Sequence, residues 1–172
     1  MTDGPVAREF DPVRILEVLN RHGVRFIVVG GVAATLHGSP QATYDLDLAY
    51  ERSSENVGRL IEALSELEAV RITDPSLPAP PSREGLTERI EHFASPVGAI
   101  DALASVRSVG GYEDMTDDAE EIEIQPGLTV LVAGIDTIIW SKSGTGRAKD
   151  PNHIRSLEQV RDERRRLGED RT

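Results

Sequence analysis

The chain has 172 residues, of which 38% are hydrophobic and 4% aromatic, so we expect one domain with a core of Val, Leu, Ile and Ala. It has no cysteine, which excludes disulfides, a thiol nucleophile and a zinc–thiolate site. No apolar run reaches the roughly 18 residues of a membrane span, and no signal-peptide pattern is present. We therefore expect a cytoplasmic protein without a membrane partner.

The net charge of −11 argues against a general nucleic-acid binder, whose affinity comes mainly from neutralising phosphates. The charge is unevenly distributed along the chain. Residues 1–141 contain ten Lys and Arg against 24 Asp and Glu, whereas residues 142–172 contain nine against six. A polyanion is therefore expected to meet the C-terminal segment first.

The first predicted element is a helix from Pro12 to about Arg21. Asp11 followed by proline is a typical helix start, and Gly23 is a typical stop. The later elements follow from apolar periodicity and turn residues. In chain order they are a helix capped by Ser53, a short edge strand at 70–72, a hairpin of strands at 89–94 and 98–104, a strand at 128–132, and helices over 135–143 and after Asp150. The acidic stretch 113–123 is expected to be a solvated loop that enters a strand at Ile122 and Ile124.

The segment after the first helix begins with a short β-branched run at 26–29, which is typical of a buried strand. The run stops at Gly30 and Gly31, where the backbone can turn sharply and approach a ligand closely. A short helix over 32–37 follows. A glycine turn at the start of a helix can accommodate a phosphate, so Gly30 and Gly31 are candidate nucleotide-binding residues.

Residues 43–48 alternate with period two, which predicts a strand with Asp45 and Asp47 on one face, about 7 Å apart. Tyr44 is expected on the opposite, apolar face. Two carboxylates side by side repel each other unless a cation lies between them. The alternative is the solvent face of an edge strand. Because Asp is disfavoured in strands, we favour a metal site.

Asp101 is a lone carboxylate inside a predicted apolar strand, where an unpaired charge is costly. Two interpretations of Asp101 remain open: it is a third metal ligand beside the Asp pair, or it faces solvent on an edge strand. Three histidines show no mutual metal-ligand spacing and are expected to be ordinary residues: His37, His92 and His153.

Lys142, Arg147 and Lys149 cluster after a predicted helix, just before Asp150. Cations at a helix C-terminus are favoured by the helix dipole, and that reading stays open. The functional alternative is a clamp on a nucleoside triphosphate.

These motifs together resemble the polymerase-β-like nucleotidyltransferase superfamily, and most closely its toxins of the MenT and AbiEii type. The matching segments are VGG through HG to T-x-D-x-D at 29–47, and Lys142 followed by R-x-K-D at 147–150. Gln41 and Tyr44 depart from the family pattern, in which basic residues are common at these positions.

The resemblance implies an α/β (α+β) nucleotidyltransferase fold, with a mixed sheet flanked by helices. A core over 1–133 and a small helical C-terminal region over 134–172 would form one compact unit. It implies a toxin, paired with an antitoxin protein, that transfers a nucleotide, expected to be a pyrimidine, from an NTP to the 3′ end of tRNA and so blocks translation. It further implies two Mg²⁺ ions, with Mn²⁺ as a substitute, held by Asp45, Asp47 and Asp101.

Five residues are expected to be catalytic on this basis: Asp45, Asp47, Asp101, Lys142 and Asp150. Nucleotide binding is expected from Gly30, Gly31, Lys142, Arg147 and Lys149. Two rival functions stay open. One is transfer to a protein or small molecule, as by an AMP-transferring antitoxin or an antibiotic-modifying enzyme, and the other is a non-enzymatic binding module.

Thr43 lies two residues before Asp45, so on a strand its hydroxyl shares the face of the metal ligands. A phosphate there would place about −1.5 to −2 charges beside a site for a triphosphate and silence the enzyme. Thr43 is therefore a candidate regulatory phosphorylation site, with an ordinary strand residue as the alternative.

Overall fold

A mixed sheet of seven strands, in the order β3-β4-β5-β2-β1-β7-β6, forms the framework of this computed structural model, which describes residues 9–74, 76–87, 90–143 and 150–168. The strands are β1 Phe26–Val29, β2 Asp45–Tyr50, β3 Val70–Arg71, β4 Ile90–Ser95, β5 Gly98–Leu103, β6 Glu120–Gln125 and β7 Leu128–Val132. The helices are α1 Pro12–Arg21, α2 Gly30–Leu36, α3 Ser54–Glu66, α4 Tyr112–Met115, α5 Ile135–Ser143 and α6 Asp150–Leu167. The expected mixed α/β fold is confirmed.

The central strand β2 determines where the functional residues meet. It pairs antiparallel with β1 and parallel with β5, and the second pairing sets Asp47 beside Asp101. Leu46 and Leu48 on its other face are fully buried, so the two faces differ as the alternation predicted. Tyr44 does not belong to the buried face. It precedes the strand and is 78% exposed, because the pairing with β5 begins only at Asp45.

Two helix starts form as their sequences predict. The Asp11 carboxylate accepts a hydrogen bond from the backbone N–H of Arg14, and the Ser53 hydroxyl accepts one from that of Asn56. Asn56 is fully buried and its side-chain amide donates to the backbone oxygen of Glu51 at 2.7 Å. The start of α3 is thereby anchored to the end of β2.

Helix α2 begins at Gly30, two residues earlier than predicted, and packs against β1 and β2. Its C-terminal neighbour His37 is buried, and the His37 Nε2 lies 2.8 Å from the backbone oxygen of Ala133, just after β7. The backbone N–H of Ala133 also donates a hydrogen bond to β1. The contact between His37 and Ala133 therefore holds the C-terminal end of α2 beside β1.

The prediction for the acidic stretch was wrong in part. Its beginning forms the short helix α4, and its end is already strand β6 from Glu120 onward. Strand β6 pairs antiparallel with β7 through a turn at Gly127, whose φ of 82° favours glycine. Because β6 is the last strand of the sheet, its glutamates can point to solvent while it still pairs.

The last two helices lie against each other, and Leu157 of α6 is fully buried. Helix α6 begins at Asp150 itself rather than just after it. Among the described residues, no helix combines the length and the apolar character that a membrane crossing requires.

Candidate active site

Three carboxylates meet at the junction of β2 and β5. Asp45 and Asp47 share one face of β2, and Asp101 reaches the same place from β5. One oxygen from each carboxylate lies within 4.8 Å of one from each of the others, and all three side chains are half-buried. The structure thus brings together the three residues that the sequence predicted as metal ligands.

This proximity has an electrostatic consequence at Asp47. Burial raises the pKa of its carboxyl to about 7, and the neighbouring charges of Asp45 and Asp101 add to the rise. A hydrogen bond from the backbone N–H of Gly31 and the charge of Lys142 act in the opposite direction. A bound cation would remove the repulsion that keeps this proton in place.

The glycine turn has a steric role at this site. Gly30 has a φ of 66°, and a Cβ there would lie 2.0 Å from the Asp47 carboxylate. A Cβ on Gly31 would lie 2.5 Å from the Thr43 hydroxyl oxygen. Both glycines therefore allow the carboxylate strand to approach α2, and Gly31 uses its N–H to hold Asp47.

Thr43 connects the glycine turn to the carboxylates. Its hydroxyl donates a hydrogen bond of 2.9 Å to Asp45 Oδ1. The expectation that the hydroxyl lies on the ligand face is consistent with this contact. The bond also fixes the orientation of Asp45, because one of its oxygens is committed to Thr43.

His92 is a site residue that the sequence analysis missed. Its Nδ1 lies 2.7 Å from Asp101 Oδ1, across the β4–β5 hairpin. The signal was available in the turn, because pairing Ser95 with Gly98 around a two-residue loop places position 92 opposite position 101. A histidine bonded to a ligand carboxylate is a common way to orient it.

Lys142 approaches the site from the C-terminal side, close enough to lower the pKa of Asp47. Its Nζ lies 3.2 Å from Nδ1 of His153 on α6. His153 was also missed, and no local pattern could have revealed it, because the contact depends on how α6 packs against α5. Arg147 and Lys149 lie outside the described residues, as does the side chain of Asp150.

Four arginines of α6 face carboxylates of this chain. Arg161 lies 2.9 Å from Asp136, and Arg164 lies 3.5 Å from Glu120. Arg165 also contacts Asp136, and Arg166 contacts Glu163. The positive charge of these four arginines is therefore matched by acidic groups within the fold.

The donor set fits a divalent cation. Three carboxylates converge on one place, and hard oxygen ligands of this kind suit Mg²⁺ and Mn²⁺. Burial and the charges of Asp45 and Asp101 both raise the pKa of Asp47, and a bound cation would counter both effects.

No protein-family model matches this chain, and no curated protein matches it in sequence. Solved structures do match it in fold. The lincomycin-bound crystal structure of the lincosamide antibiotic adenylyltransferase LnuA aligns over 88% of this chain and 99% of that chain, with a TM-score of 0.63 and 12% identity. The solution structure of the antibiotic-resistance factor ANT(2'')-Ia aligns over 90% and 89%, with a TM-score of 0.57 and 13% identity.

A crystal structure of ANT(2'')-Ia with adenylyl-2''-tobramycin aligns over 87% of this chain and 90% of that chain, with a TM-score of 0.56 and 14% identity. The fold is thus a nucleotidyltransferase fold. At these identities the likeness concerns the fold, so the function has to be argued from the site.

Proposed function

We propose that this chain is an enzyme that transfers a nucleotidyl group from a nucleoside triphosphate to a small-molecule hydroxyl. The observation that carries the proposal is the meeting of Asp45, Asp47 and Asp101 within 4.8 Å on a nucleotidyltransferase fold. Such a cluster costs stability unless it holds a cation, so a use for it is expected.

Asp45, Asp47 and Asp101 would hold two Mg²⁺ ions, with Mn²⁺ as a substitute. When bound, the ions neutralise the triphosphate and make the acceptor hydroxyl more acidic. Gly31 donates its backbone N–H to Asp47, and Thr43 donates its hydroxyl to Asp45. Each thereby keeps one of the metal ligands in place. Gly30 leaves the backbone open to the β and γ phosphates.

Proton transfer falls to Asp101. The hydroxyl oxygen of the acceptor attacks the α-phosphorus, pyrophosphate leaves, and the hydroxyl proton passes to the Asp101 carboxylate. His92, at 2.7 Å, fixes the direction of that carboxylate. Its role is positioning, because its contact is with Asp101.

Charge on the departing phosphates is met by Lys142, which His153 holds at 3.2 Å. We assign Arg147 and Lys149 to the same triphosphate clamp. We propose that Asp150 orients Lys142 or Lys149. These three roles rest on the sequence motif.

A small acceptor is favoured over RNA by two observations. Structures similar in fold include adenylyltransferases that act on antibiotics. The arginines of α6 that an RNA would need are occupied by Asp136, Glu120 and Glu163, and the net charge is −11.

The second candidate is the toxin function, with the 3′ end of tRNA as acceptor and an antitoxin protein as partner. Its support is the pair of motifs at 29–47 and 142–150, together with the excess of basic residues in the last 31 positions. Under this candidate Thr43 is a proposed phosphorylation site. Phosphate on its hydroxyl would replace the bond to Asp45 with charge repulsion.

The test is a transfer assay with each α-labelled NTP in turn, supplied with lincomycin, tobramycin or total tRNA. Label on a small molecule supports the first candidate, whereas label on the tRNA 3′ end supports the second. An absence of transfer to all acceptors in Mg²⁺ and in Mn²⁺ would contradict the nucleotidyl-transfer proposal for both.

Phosphorylation by an antitoxin is tested separately, by intact mass. If the chain is co-expressed with a candidate antitoxin and silenced, intact mass should show one added phosphate that Thr43→Val removes. An unmodified mass in silenced protein would contradict phosphorylation and indicate steric blocking.

A further inference from the structure

A groove of about 560 Å³ lies next to the carboxylate cluster. Helix α1 and the segment before it form one wall, α2 forms another, and residues 39–43 form the third. Most of its lining is apolar, including Phe10, Val13, Leu16, Val32, Leu36 and Ile124. Its volume falls in the range of about 300–1,000 Å³ that is typical of sites for small molecules.

Among the described residues, the lining carries no charged side chain. The thirteen that line the groove are all uncharged, and the polar ones are Thr35, Ser39, Gln41 and Thr43. A polyanion such as RNA needs basic partners, and a polycation needs acidic ones. The groove therefore suits an occupant with an apolar body and few charges.

Ser39 marks a point of polar recognition within this lining. The residue is 4% exposed, and its hydroxyl oxygen has no hydrogen-bond partner among the described residues. Leaving a buried hydroxyl unpaired costs about 1–3 kcal/mol. The oxygen itself is closed to solvent in this structure, so a ligand oxygen or nitrogen in the groove reaches it only when residues 39–43 shift.

The groove and the carboxylate cluster share one residue. Thr43 lines the groove, and the same side chain donates its hydroxyl to Asp45 Oδ1 at 2.9 Å. Thr43 therefore contacts both the groove and a metal ligand. A molecule whose body fills the apolar part of the groove would bring a hydroxyl to the cluster at its Thr43 end.

We propose that this groove binds the acceptor, and that the acceptor is a small molecule with an apolar body, at most one charge and a hydroxyl at the end near Thr43. This deepens the proposed function and rests on it. The acceptor oxygen forms a bond to the α-phosphorus as the bond from that phosphorus to the bridging oxygen breaks. Pyrophosphate leaves, and the hydroxyl proton goes to Asp101.

The test uses ligand-observed NMR with a library of neutral hydroxyl-bearing fragments, and matched libraries of polyamines and short oligonucleotides as probes. Ala42→Trp is the blocking variant, because Ala42 lines the groove and is exposed, so the fold can accommodate the change. Glu121→Trp, at an exposed position of β6, is the control. Fragments should bind the wild type and Glu121→Trp but lose at least about tenfold in affinity with Ala42→Trp.

Ser39→Ala tests the polar contact. The variant should be at least as thermally stable as the wild type, since the hydroxyl it removes is buried and has no partner within the described fold. Affinity for the bound fragments should fall about 3- to 10-fold, the effect of one hydrogen bond. Unchanged affinity for every fragment would overturn the role given to Ser39.

Nucleotidyl transfer from labelled NTP to the bound fragments separates the two levels of the account. If Asp45→Asn abolishes transfer while Ala42→Trp leaves both transfer and fragment binding unchanged, the groove proposal alone is wrong. If Asp45→Asn leaves transfer unchanged, the proposed function itself is wrong. Preferential binding of polyamines or oligonucleotides would also overturn the groove proposal.

Discussion

Two charged regions of this molecule are arranged in opposite ways. At the junction of β2 and β5, three carboxylates are brought within 4.8 Å of one another, and burial together with the two neighbouring charges raises the pKa of Asp47 to about 7. Along α6, by contrast, four arginines are each placed beside a carboxylate of this chain, as Arg161 is beside Asp136. The first region places like charges together, whereas the second pairs its positive charges with negative ones.

The contrast distinguishes a site from a structural surface. Exposed ion pairs like those of α6 contribute about 0–1 kcal/mol each and leave little charge for a partner. A converging set of carboxylates lowers stability until a cation binds, so its presence in a folded domain favours a function. The number of basic residues in the sequence indicated the C-terminal segment as a surface for a polyanion. In the fold, arginines of that segment are paired with carboxylates, and the cluster of like charges at the β2–β5 junction is the better candidate for a binding site.

The largest expected effect comes from removing a carboxylate. Asp45→Asn or Asp47→Asn should lower the rate of nucleotidyl transfer by about 10³-fold or more, because losing a metal ligand removes several kcal/mol of transition-state stabilisation. The measurement is transfer of label from NTP under single-turnover conditions. Asp117→Asn, at an exposed position away from the sheet junction, is the matched control and should keep wild-type activity. Equal loss in all three variants would contradict the assignment.

His92→Ala sharpens the comparison at the edge of the cluster. Without its contact at 2.7 Å, Asp101 is less well oriented, and divalent-metal affinity should fall about 10- to 100-fold. Titration of Mg²⁺ in the transfer assay gives the apparent affinity. His92→Asn, which can still donate a hydrogen bond, should recover part of the loss. If neither the metal affinity nor kcat at saturating metal changes, the positioning role is wrong.

Stability should respond to pH through Asp47. Its carboxyl has a pKa of about 7 in the fold against an ordinary value of 3.8, so the folded state holds this proton more tightly than the unfolded chain. The cost of ionising it is absent at low pH, grows as the pH rises between about 4 and 7, and is fully present above that range.

Asp47→Asn cannot ionise, so in metal-free buffer it should melt higher than the wild type at pH 8 and nearly equally at pH 4. Each kcal/mol gained should raise Tm by about 2–4 °C. Scanning calorimetry at the two pH values measures the difference. A variant less stable than the wild type at pH 8 would contradict the repulsion argument.

The smallest effect is expected from α6. Changing Arg164, Arg165 and Arg166 together to Ser should cost at most about 1 kcal/mol per exposed pair and leave NTP-dependent transfer to a small acceptor unchanged. If tRNA is the acceptor instead, the variant should raise the KM for RNA and flatten its salt dependence. Those two readouts show whether the arginines are structural or bind a polyanion.

Local signals in the sequence were sufficient for much of the fold. The caps at Asp11 and Ser53, the buried strand β1 and the β4–β5 hairpin depend on neighbouring residues, and they form as predicted. The Asp pair on one face of β2 also follows from period-two alternation. Its junction with Asp101 was a hypothesis, because strand order in a sheet is decided by tertiary packing.

The features that local sequence patterns could not predict depend on contacts between distant segments. The pair of Lys142 and His153, the arginine–carboxylate pairs of α6 and the groove behind Thr43 all arise from packing of separate elements. His92 is an intermediate case, since the hairpin register predicts its place opposite Asp101 once the turn is assigned.

Binding of Mn²⁺ measured by electron paramagnetic resonance, in the presence of a non-hydrolysable NTP analogue, tests the central claim most directly because it does not depend on knowing the acceptor. The account predicts saturable binding of about two ions per chain in the wild type and in Asp117→Asn, and loss of that binding in Asp47→Asn. Binding that is absent from the wild type, or that persists unchanged in Asp47→Asn, would contradict a metal site formed by Asp45, Asp47 and Asp101.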